Sequence, residues 1–284
     1  MIRPILSLAF AMLILNSMIF IHGISLAEAE HPTSGDLDPN LTFNDLIPPI
    51  DYDSKGYEGI GKQYPPVSVA NECLFYFSHL TNATAWDYGL YVAQWLALRG
   101  HEFAGFVYFT NDYPWASYNL TAGWKSGLAQ GLAAECFLEA YSYTGNSTFL
   151  DLAKKSLMFL TVPIEQGGVR IEERHDRWWY EEYPRTAGSK QPQVLNGHQF
   201  VLFSLNKYLE IDNDPTIRQL FDNGLSALKF DALMYDNGYN NSFYDRLRRP
   251  AEAYHNTHII NFERLYNITG DAELVELKKI FMEE

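Results

Sequence analysis

The sequence predicts an all-α protein, an incomplete (α/α) toroid of helical hairpins with short β-rich loops at one end. Three observations support this fold class. Apolar residues recur at helical spacing through most of the chain beyond residue 64. One plan, a helix, a short polar break and a second helix, recurs four times at intervals of roughly 60 residues. Stretches rich in Gly, Tyr and Pro separate these repeats.

The first segment, residues 1–29, has the layout of a secretory signal peptide. Arg3 precedes an apolar run from Ile5 to Ile21, and an A-x-A site ends at Ala29. The run is also long enough for an uncleaved membrane anchor, so membrane association stays open. Either way we expect a secreted or membrane-anchored, extracytoplasmic glycoprotein. Six N-x-[ST] sequons agree with this setting, at Asn40, Asn82, Asn119, Asn146, Asn240 and Asn267.

The remaining chain divides into an arm and a domain. Residues 30–64 are rich in Pro, Gly and Asp and lack periodicity, which predicts a linker or an arm lying over the domain. Residues 65–284 form the toroid domain, whose four hairpins break at TNAT (81–84), TGNST (144–148), DNDP (212–215) and ITGD (268–271). The connections between hairpins, 100–122, 161–192 and 231–250, emerge at one end of such a stack, where loops commonly build the binding site.

Composition restricts the partners. The net charge of −14 argues against nucleic acid, although basic residues gather locally at RHDR (174–177) and RLRR (246–249) and leave an acidic substrate compatible. Aromatic residues make up 15% of the chain, which suits stacking on sugar rings. Cys73 and Cys136 lie in apolar helical patterns and are interpreted as buried thiols, with a disulfide between them as the alternative.

Polar residues interrupt the apolar pattern at the starts of the inner helices. They are Lys125, Gln130, Asn196, His198, His255 and His258. Buried polar groups cost free energy unless they are paired, so this grouping predicts a wet pocket at one end of the bundle. His255 and His258 lie one helical turn apart, but no third ligand is spaced to complete a site, and we expect no metal.

Two short stretches could supply reactive groups. In NSFYDRLRRP (241–250), Tyr244 lies beside several arginines, which would lower the pKa of the phenol while burial would raise it. The alternative is a solvated Arg patch beside a packing residue. In HDRWWYEEYP (175–184), adjacent Glu181 and Glu182 point to opposite faces of an extended chain. A hydrolase pair would therefore need a partner such as Asp176, Asp245 or Glu252.

Five motifs together resemble the C-terminal helical domain of the D-glucuronyl C5-epimerases. They are GWKSGLAQG (123–131), WYEEYP (179–184), VLNG (194–197), FYDRLRR (243–249) and YHNTHI (254–259). All five occur in the family's order, and the resemblance covers about residues 60–284. It implies conversion of glucuronate to iduronate within a heparan-type polysaccharide, without a cofactor.

The resemblance also implies residue roles. Tyr183, Tyr244 and Tyr254 would surround the target sugar, with Glu182 as a neighbouring catalytic acid. Family members carry an arginine three residues after the middle tyrosine, where this chain has Leu247 flanked by Arg246 and Arg248. The candidates for binding the substrate are Lys125, Gln130, Arg177, Trp179, Asn196, Arg246, Arg248, His255 and His258. The animal enzymes have β-rich domains that contribute to a dimer, so a homodimer and the identity of the polymer stay open.

The chemistry follows from the substrate. The hydrogen at C5 lies α to a carboxylate, so its removal loads a second negative charge onto the carboxyl group, which donors and cations must stabilise. Lys125, His255, Arg246 and Arg248 are the expected donors, and tyrosines on two faces would remove and return the proton. The alternatives are a uronate polysaccharide lyase, a glycoside hydrolase and a non-catalytic glycan-binding protein.

Overall fold

The computed structural model describes residues 46–79, 83–238 and 241–282. The predicted signal peptide or anchor (1–29) and the sequons at Asn40, Asn82 and Asn240 lie outside those residues. Within them, no helix is both long and apolar enough to span a membrane.

The described residues contain eight α-helices, which form four consecutive helical hairpins. The helices are α1 (Pro66–His79), α2 (Ala83–Arg99), α3 (Gly127–Thr144), α4 (Ser147–Met158), α5 (Leu195–Leu209), α6 (Pro215–Asp231), α7 (His255–Thr269) and α8 (Ala272–Met282). Each odd-numbered helix packs against its even-numbered partner and against the next odd-numbered helix. The odd-numbered helices therefore form an inner row, and α3 and α5 are buried along most of their length.

Local residue chemistry explains where the hairpins turn. Ser126 caps the start of α3 by accepting a hydrogen bond from Ala129 N, and Gly145 ends this helix with φ of 68°. Asn146 then caps α4 through Thr148 N. Asp214 caps α6, and the proline that follows it occupies the first helical position, where its missing N–H costs nothing. Two of the polar breaks predicted from the sequence, TGNST and DNDP, thus supply helix caps.

A disulfide joins two inner helices. Cys73 of α1 and Cys136 of α3 are fully buried and bonded to each other across a sequence separation of 63 residues. The interpretation as free thiols is therefore wrong, and the alternative is confirmed. A cross-link of this kind restricts the unfolded chain and so favours the folded state.

Short antiparallel strand pairs lie in the arm and in the first two connections between the helical hairpins, in keeping with the β-rich loops that the sequence predicts. They pair β1 (Ile50–Asp51) with β2 (Lys62–Gln63), β3 (His101–Phe103) with β4 (Phe106–Tyr108), β5 (Thr110–Asn111) with β6 (Trp124–Lys125), and β7 (Arg170–Arg174) with β8 (Arg177–Tyr180). The connections reach the starts of the inner helices: Gly127 N donates to Glu181 O (2.8 Å), and Leu195 N donates to Tyr244 O (3.1 Å).

The described part of segment 30–64 is an arm packed on the domain. Leu46 and Ile47 join the main core, and Tyr52 is buried in a second apolar cluster at the loop end. The Tyr52 hydroxyl lies 3.0 Å from that of Tyr113 in the connection between β5 and β6. The arm thus covers part of the loop end of the domain.

We expect removal of the disulfide to destabilise the domain. The double variant Cys73→Ser/Cys136→Ser should lose about 2–5 kcal/mol of unfolding free energy, the usual effect of deleting a native disulfide. Denaturant unfolding measures this loss. A reducing agent should lower the stability of the parent protein and leave that of the double variant unchanged. Equal stability of the two proteins under oxidising conditions would contradict the prediction.

Candidate active site

A buried aromatic cluster lies at the loop end and draws on the arm and the three connections. Its buried members are Tyr52, Tyr113, Trp115, Tyr118, Leu120, Tyr183 and Val194, with Tyr244 and Leu247 packed against it. The rings of Tyr118 and Tyr183 stack with centroids 4.4 Å apart, and those of Tyr244 and Tyr254 lie 5.1 Å apart. The three tyrosines selected from the sequence therefore meet in one region, as the resemblance implies.

The Glu182 carboxyl group links these tyrosines. Burial is the largest cause of the raised pKa of Tyr183, Tyr244, Tyr254 and Tyr118, and the charge of Glu182 raises all four further. Tyr183 also hydrogen-bonds to the carboxylate and lowers the pKa of Glu182 by doing so. The second oxygen, Glu182 Oε2, is buried and has no hydrogen-bond partner among the described residues. Four phenols thus surround one incompletely paired carboxyl group.

Burial sets the protonation of this cluster. Removal from water, followed by the charge of Glu181, raises the pKa of Glu182 to about 8, so the acid is mostly neutral at pH 7. Burial likewise raises the pKa of Tyr183 and Tyr244 well above 10. Of the two opposing effects expected at Tyr244, burial prevails: it raises the pKa of the phenol, and the hydrogen bond with Tyr183 lowers it only in part. The Tyr244 hydroxyl is buried and forms no hydrogen bond of regular geometry among the described residues.

Two motif glycines let the Glu181–Glu182 turn pack against the inner helices. A Cβ atom on Gly197, in VLNG, would lie 2.4 Å from Glu182 Oε2. A Cβ atom on Gly127, in GWKSG, would lie 3.0 Å from Glu181 O. The first contact is too short for any real side chain, so Gly197 makes the space that the carboxyl group occupies.

Glu181 has a structural position. Its carboxylate accepts hydrogen bonds from Tyr183 N (3.2 Å) and Gln193 N (2.7 Å), and burial raises its pKa to about 7. These bonds fix the turn that presents Glu182 and Tyr183. Backbone donors thus occupy both carboxylate oxygens of Glu181. Its side chain points to the opposite face from that of Glu182, as the alternation of an extended chain predicts.

Asp245 fixes the turn of residues 244–249, which carries Tyr244. Its buried carboxylate accepts hydrogen bonds from Leu247 N (2.9 Å), Arg249 N (3.2 Å) and the Tyr118 hydroxyl (2.8 Å). The Arg249 guanidinium lies over the Tyr118 ring, 3.9 Å from its centroid, and its Nε is 3.5 Å from Asp245 Oδ2. Tyr118, Asp245 and Arg249 therefore form a support behind Tyr183. Nothing in WASYNLT singles out Tyr118, whereas Arg249 stands in the RLRR motif and could have been selected.

The two arginines selected from RLRR lie on the other side of this turn. Leu247, at the sequence position where the family has an arginine, packs against the aromatic cluster. Arg246 instead pairs with Asp231 (3.1 Å), and Arg248 lies 5.3 Å from the centroid of the Phe243 ring. The structure does not bring Arg246 or Arg248 to the tyrosines of the cluster, because Asp231 holds Arg246 and the left-handed backbone of Arg248, with φ of 63°, turns its side chain toward Phe243.

Four other selected residues make contacts elsewhere. Lys125 lies over the Tyr108 ring, 5.4 Å from its centroid. Gln130 bonds to the backbone of Phe109 through both of its side-chain groups, at 3.1 and 3.3 Å. Arg177 lies over the outer-helix residue Phe230, at 3.6 Å. Trp179 is fully buried, so it offers no ring face to a sugar in this conformation.

The selected histidines are structural in this conformation. His198 Nδ1 accepts from Tyr180 N (3.1 Å), and its Nε2 donates to Gly224 O (2.9 Å). His255 and His258 both contact Ser242 Oγ, at 3.1 and 2.8 Å, and burial lowers the pKa of each. Among the described residues, no three His, Cys, Asp or Glu side chains are arranged to hold a metal ion.

Asn196 differs from these residues. It lies at the start of α5, beside Gly197, and is 1% exposed. Neither its side-chain oxygen nor its side-chain nitrogen has a hydrogen-bond partner among the described residues. A buried amide without partners is costly, so Asn196 is a good candidate to bind a substrate hydroxyl or carboxyl group.

Comparison with known proteins gives a consistent result. A family model described as D-glucuronyl C5-epimerase C-terminus matches residues 101–283. An uncharacterized protein of Methanocaldococcus jannaschii is 29% identical over 182 residues, which are 63% of this chain and 58% of that protein. The D-glucuronyl C5-epimerase of Caenorhabditis elegans is 31% identical over 176 residues, 55% of this chain and 28% of that protein. The chain thus spans less than two thirds of either relative.

Two solved structures share the fold. Cellobiose 2-epimerase from Spirochaeta thermophila matches with a TM-score of 0.52 at 10% identity, covering 76% of this chain and 55% of that one. An unsaturated glucuronyl hydrolase from Streptococcus agalactiae matches with a TM-score of 0.51 at 12% identity, covering 76% and 56%. At such identities the likeness concerns the fold alone, and it confirms the predicted (α/α) toroid.

The buried Glu182 should make stability depend on pH. Unfolded chain releases this proton above the ordinary pKa of 4.5, whereas the folded protein keeps it up to about 8. Stability should therefore fall as the pH rises between these values. The variant Glu182→Gln, which needs no proton, should lose less stability between pH 5 and pH 8, by more than about 1.4 kcal/mol, the equivalent of one pKa unit.

Denaturant unfolding at the two pH values measures this difference. The control is Glu276→Gln, on α8, whose side chain is largely exposed and paired with Lys279. Its pH dependence should match that of the parent protein. If Glu182→Gln also matched the parent, the carboxyl group would be ionised in the folded state and this account of the cluster would fail.

Proposed function

The chain belongs to the D-glucuronyl C5-epimerase C-terminus family, and on this premise we propose that it epimerises D-glucuronate residues of a glycan at C5. One observation supports the proposal most: Tyr183, Tyr244 and Tyr254 meet around a buried Glu182. The product of this reaction is L-iduronate, and the polymer is an extracellular uronate-containing polysaccharide of the heparan type.

The proposed reaction is a proton transfer through two phenols. One tyrosine takes the C5 proton as its own hydroxyl proton passes to ionised Glu182, and the electron pair of the C–H bond moves into the carboxyl group as an enediolate. A second tyrosine on the opposite face then gives its proton to C5, and Glu182 returns the proton it holds to that second tyrosine, so that Glu182 is again ionised and both phenols are neutral. A proton acceptor with a pKa of about 8 is well suited to this relay, because general bases work best near the operating pH.

The enediolate needs stabilisation. Neutral phenols and the orphan amide of Asn196 are preorganised donors for its oxygens. Arg249, stacked on Tyr118, is the guanidinium that contacts a ring of the cluster, and we assign to it the charge that the family places at Leu247. No cofactor takes part in these steps, which the side chains of this chain can perform by themselves.

Substrate access requires movement of side chains. Tyr183 is 3% and Tyr254 5% exposed, so the sugar cannot reach them in the conformation described. Tyr244 and Leu247 are only partly buried and form the accessible edge of the cluster. We therefore propose that the uronate enters beside these two residues.

An extracytoplasmic location agrees with two features. The Cys73–Cys136 disulfide suits an oxidising compartment. Asn119, Asn146 and Asn267, which begin three of the sequons, are exposed and could carry glycans. The proposal is a secreted or membrane-anchored protein, and the N-terminal apolar run would supply the signal.

Incubation with glucuronate polymers in heavy water should place deuterium at C5 of both the gluco and the ido products, detected by NMR. Tyr183→Phe and Tyr254→Phe should each slow this exchange by about 10²-fold or more, the usual contribution of a general acid or base. Tyr266→Phe, on the exposed surface of α7, is the matched control and should exchange at the parent rate.

The same experiment separates the alternatives. A lyase would release an unsaturated product that absorbs in the ultraviolet, and a hydrolase would release reducing ends. Absence of exchange across several uronate polymers, or full exchange in both cluster variants, would count against an epimerase and favour a glycan-binding protein.

Glu182 should also set the pH profile. If its carboxylate accepts the proton, kcat/KM should rise with pH through an apparent pKa of about 8 as the free protein ionises. The rate of C5 exchange between pH 5 and pH 9 measures this profile. Glu182→Gln should be slow at every pH and lose this ionisation, whereas a parent rate that is flat from pH 6 to pH 9 would exclude Glu182 from the proton relay.

A further inference from the structure

A cavity of about 430 Å³ lies on the opposite side of residues 243–248 from the aromatic cluster. Its wall includes the cations Lys190, Arg246 and Arg248 and the apolar side chain of Phe243. No tyrosine of the cluster lines it. Its volume falls within the range of small-ligand sites, roughly 300–1,000 Å³.

The 243–248 segment contributes side chains both to the cavity and to the aromatic cluster. Phe243, Arg246 and Arg248 line the cavity, whereas Tyr244 and Leu247 pack against the cluster. A polymer bound at the tyrosines would therefore have this cavity as its neighbour across the 243–248 segment.

The charge of the cavity is opposite to that of the protein. The chain has a net charge of −14, yet three cations gather here with one lining carboxylate, Asp236. Arg246 is paired with Asp231, and within the described residues Lys190 and Arg248 form no ion pair. Two cations therefore remain available to an anion, and their local positive field attracts an anion in spite of the repulsion from the net negative charge of the chain.

The backbone holds the arginines in place before any ligand binds. Arg246 N donates to Pro192 O (2.7 Å), and Arg248 N donates to Asp245 O (3.0 Å). Arg248 has a backbone φ of 63°, a conformation that residues other than glycine seldom adopt. This turn is maintained by the bonds of the Asp245 carboxylate, so little backbone entropy is lost on binding.

The apolar part of the wall fits a sugar ring. Besides Phe243, the cavity is lined by Leu233 and Met234, which are 56% and 46% exposed. Aliphatic and aromatic surface beside guanidinium groups suits a pyranose that carries a carboxylate, since Arg binds such groups through two parallel hydrogen bonds. A neutral sugar would contact only the apolar side chains of this wall, and a bare inorganic anion would contact only its cations.

We propose that this cavity binds a second anionic sugar of the polymer whose neighbouring glucuronate lies at the tyrosines. The assignment rests on the proposed function and defines its substrate class: an oligosaccharide or polymer with charges on more than one residue. The charge is a uronate carboxylate or a sulfate ester on a pyranose, and the two sources differ in the test. Arg246 and Arg248, selected for the target carboxyl group, serve this second sugar instead.

The test measures binding by calorimetry, with three ligands matched in length: an unsulfated glucuronate hexasaccharide, its sulfated form and its carboxyl-reduced, neutral form. The parent protein is compared with Lys190→Gln/Arg248→Gln, whose substituted side chains are exposed. The control is Lys279→Gln, an exposed cation of α8 paired within its own helix.

We expect the double variant to bind the unsulfated hexasaccharide at least about tenfold more weakly, since hydrogen bonds to charged groups are each worth about 1.5–3 kcal/mol. The control should bind it as the parent does, and the neutral form should bind weakly to all three proteins. A loss seen only with the sulfated form would identify a sulfate rather than a carboxylate as the occupant. Equal affinities of parent and double variant for both charged ligands would overturn the proposal.

Binding and catalysis fail independently in this design. If the parent protein shows no C5 exchange but loses charged-ligand binding in the double variant, the cavity assignment stands and the epimerase proposal falls. If exchange occurs and the double variant binds the charged ligands as the parent does, the epimerase proposal stands and the cavity assignment falls. In an active protein, the double variant should raise KM for the hexasaccharide and leave KM for a single glucuronide unchanged.

Discussion

The burial of one carboxyl group, that of Glu182, is the constraint on which the site depends. A carboxylate taken out of water is costly, so the group keeps its proton to a pKa of about 8 and draws hydroxyl groups around it. Gly197 supplies the space, because any larger residue would meet Oε2 at 2.4 Å. Tyr183 hydrogen-bonds to this group, and Tyr244 and Tyr254 lie near enough that, after burial, its charge raises their pKa. The chemistry proposed for the three tyrosines uses this proximity.

The toroid provides the rigid frame for that burial. The starts of α3 and α5 hold the two stretches that carry Tyr183 and Tyr244 by backbone bonds, Gly127 N to Glu181 O and Leu195 N to Tyr244 O. Inner helices that are buried along most of their length cannot shift without disturbing the core, and the disulfide further ties α1 to α3. These two backbone bonds therefore fix the positions of the tyrosines relative to the inner helices.

Sequence periodicity was enough to predict the four hairpins, because helical spacing and polar caps act locally. The meeting of the three tyrosines followed from the family resemblance. Details that depend on a single turn could not be predicted: the bonds of Asp245 and the left-handed backbone of Arg248 turn that side chain away from the cluster. The burial of Trp179 and the role of Tyr118 could not be predicted for a related reason, since each depends on a partner far along the chain, His198 for Trp179 and Asp245 for Tyr118.

Leu247 gives the proposed reaction its particular character. At the position of the family arginine the chain has an apolar side chain, so the proton on Glu182 and the more distant Arg249 must balance charge on the target carboxyl group. A neutral donor stabilises an enediolate less than a guanidinium does. Binding energy from a second anionic sugar, held by Lys190 and Arg248, would offset part of this difference if it is realised as the sugar at the tyrosines approaches the transition state.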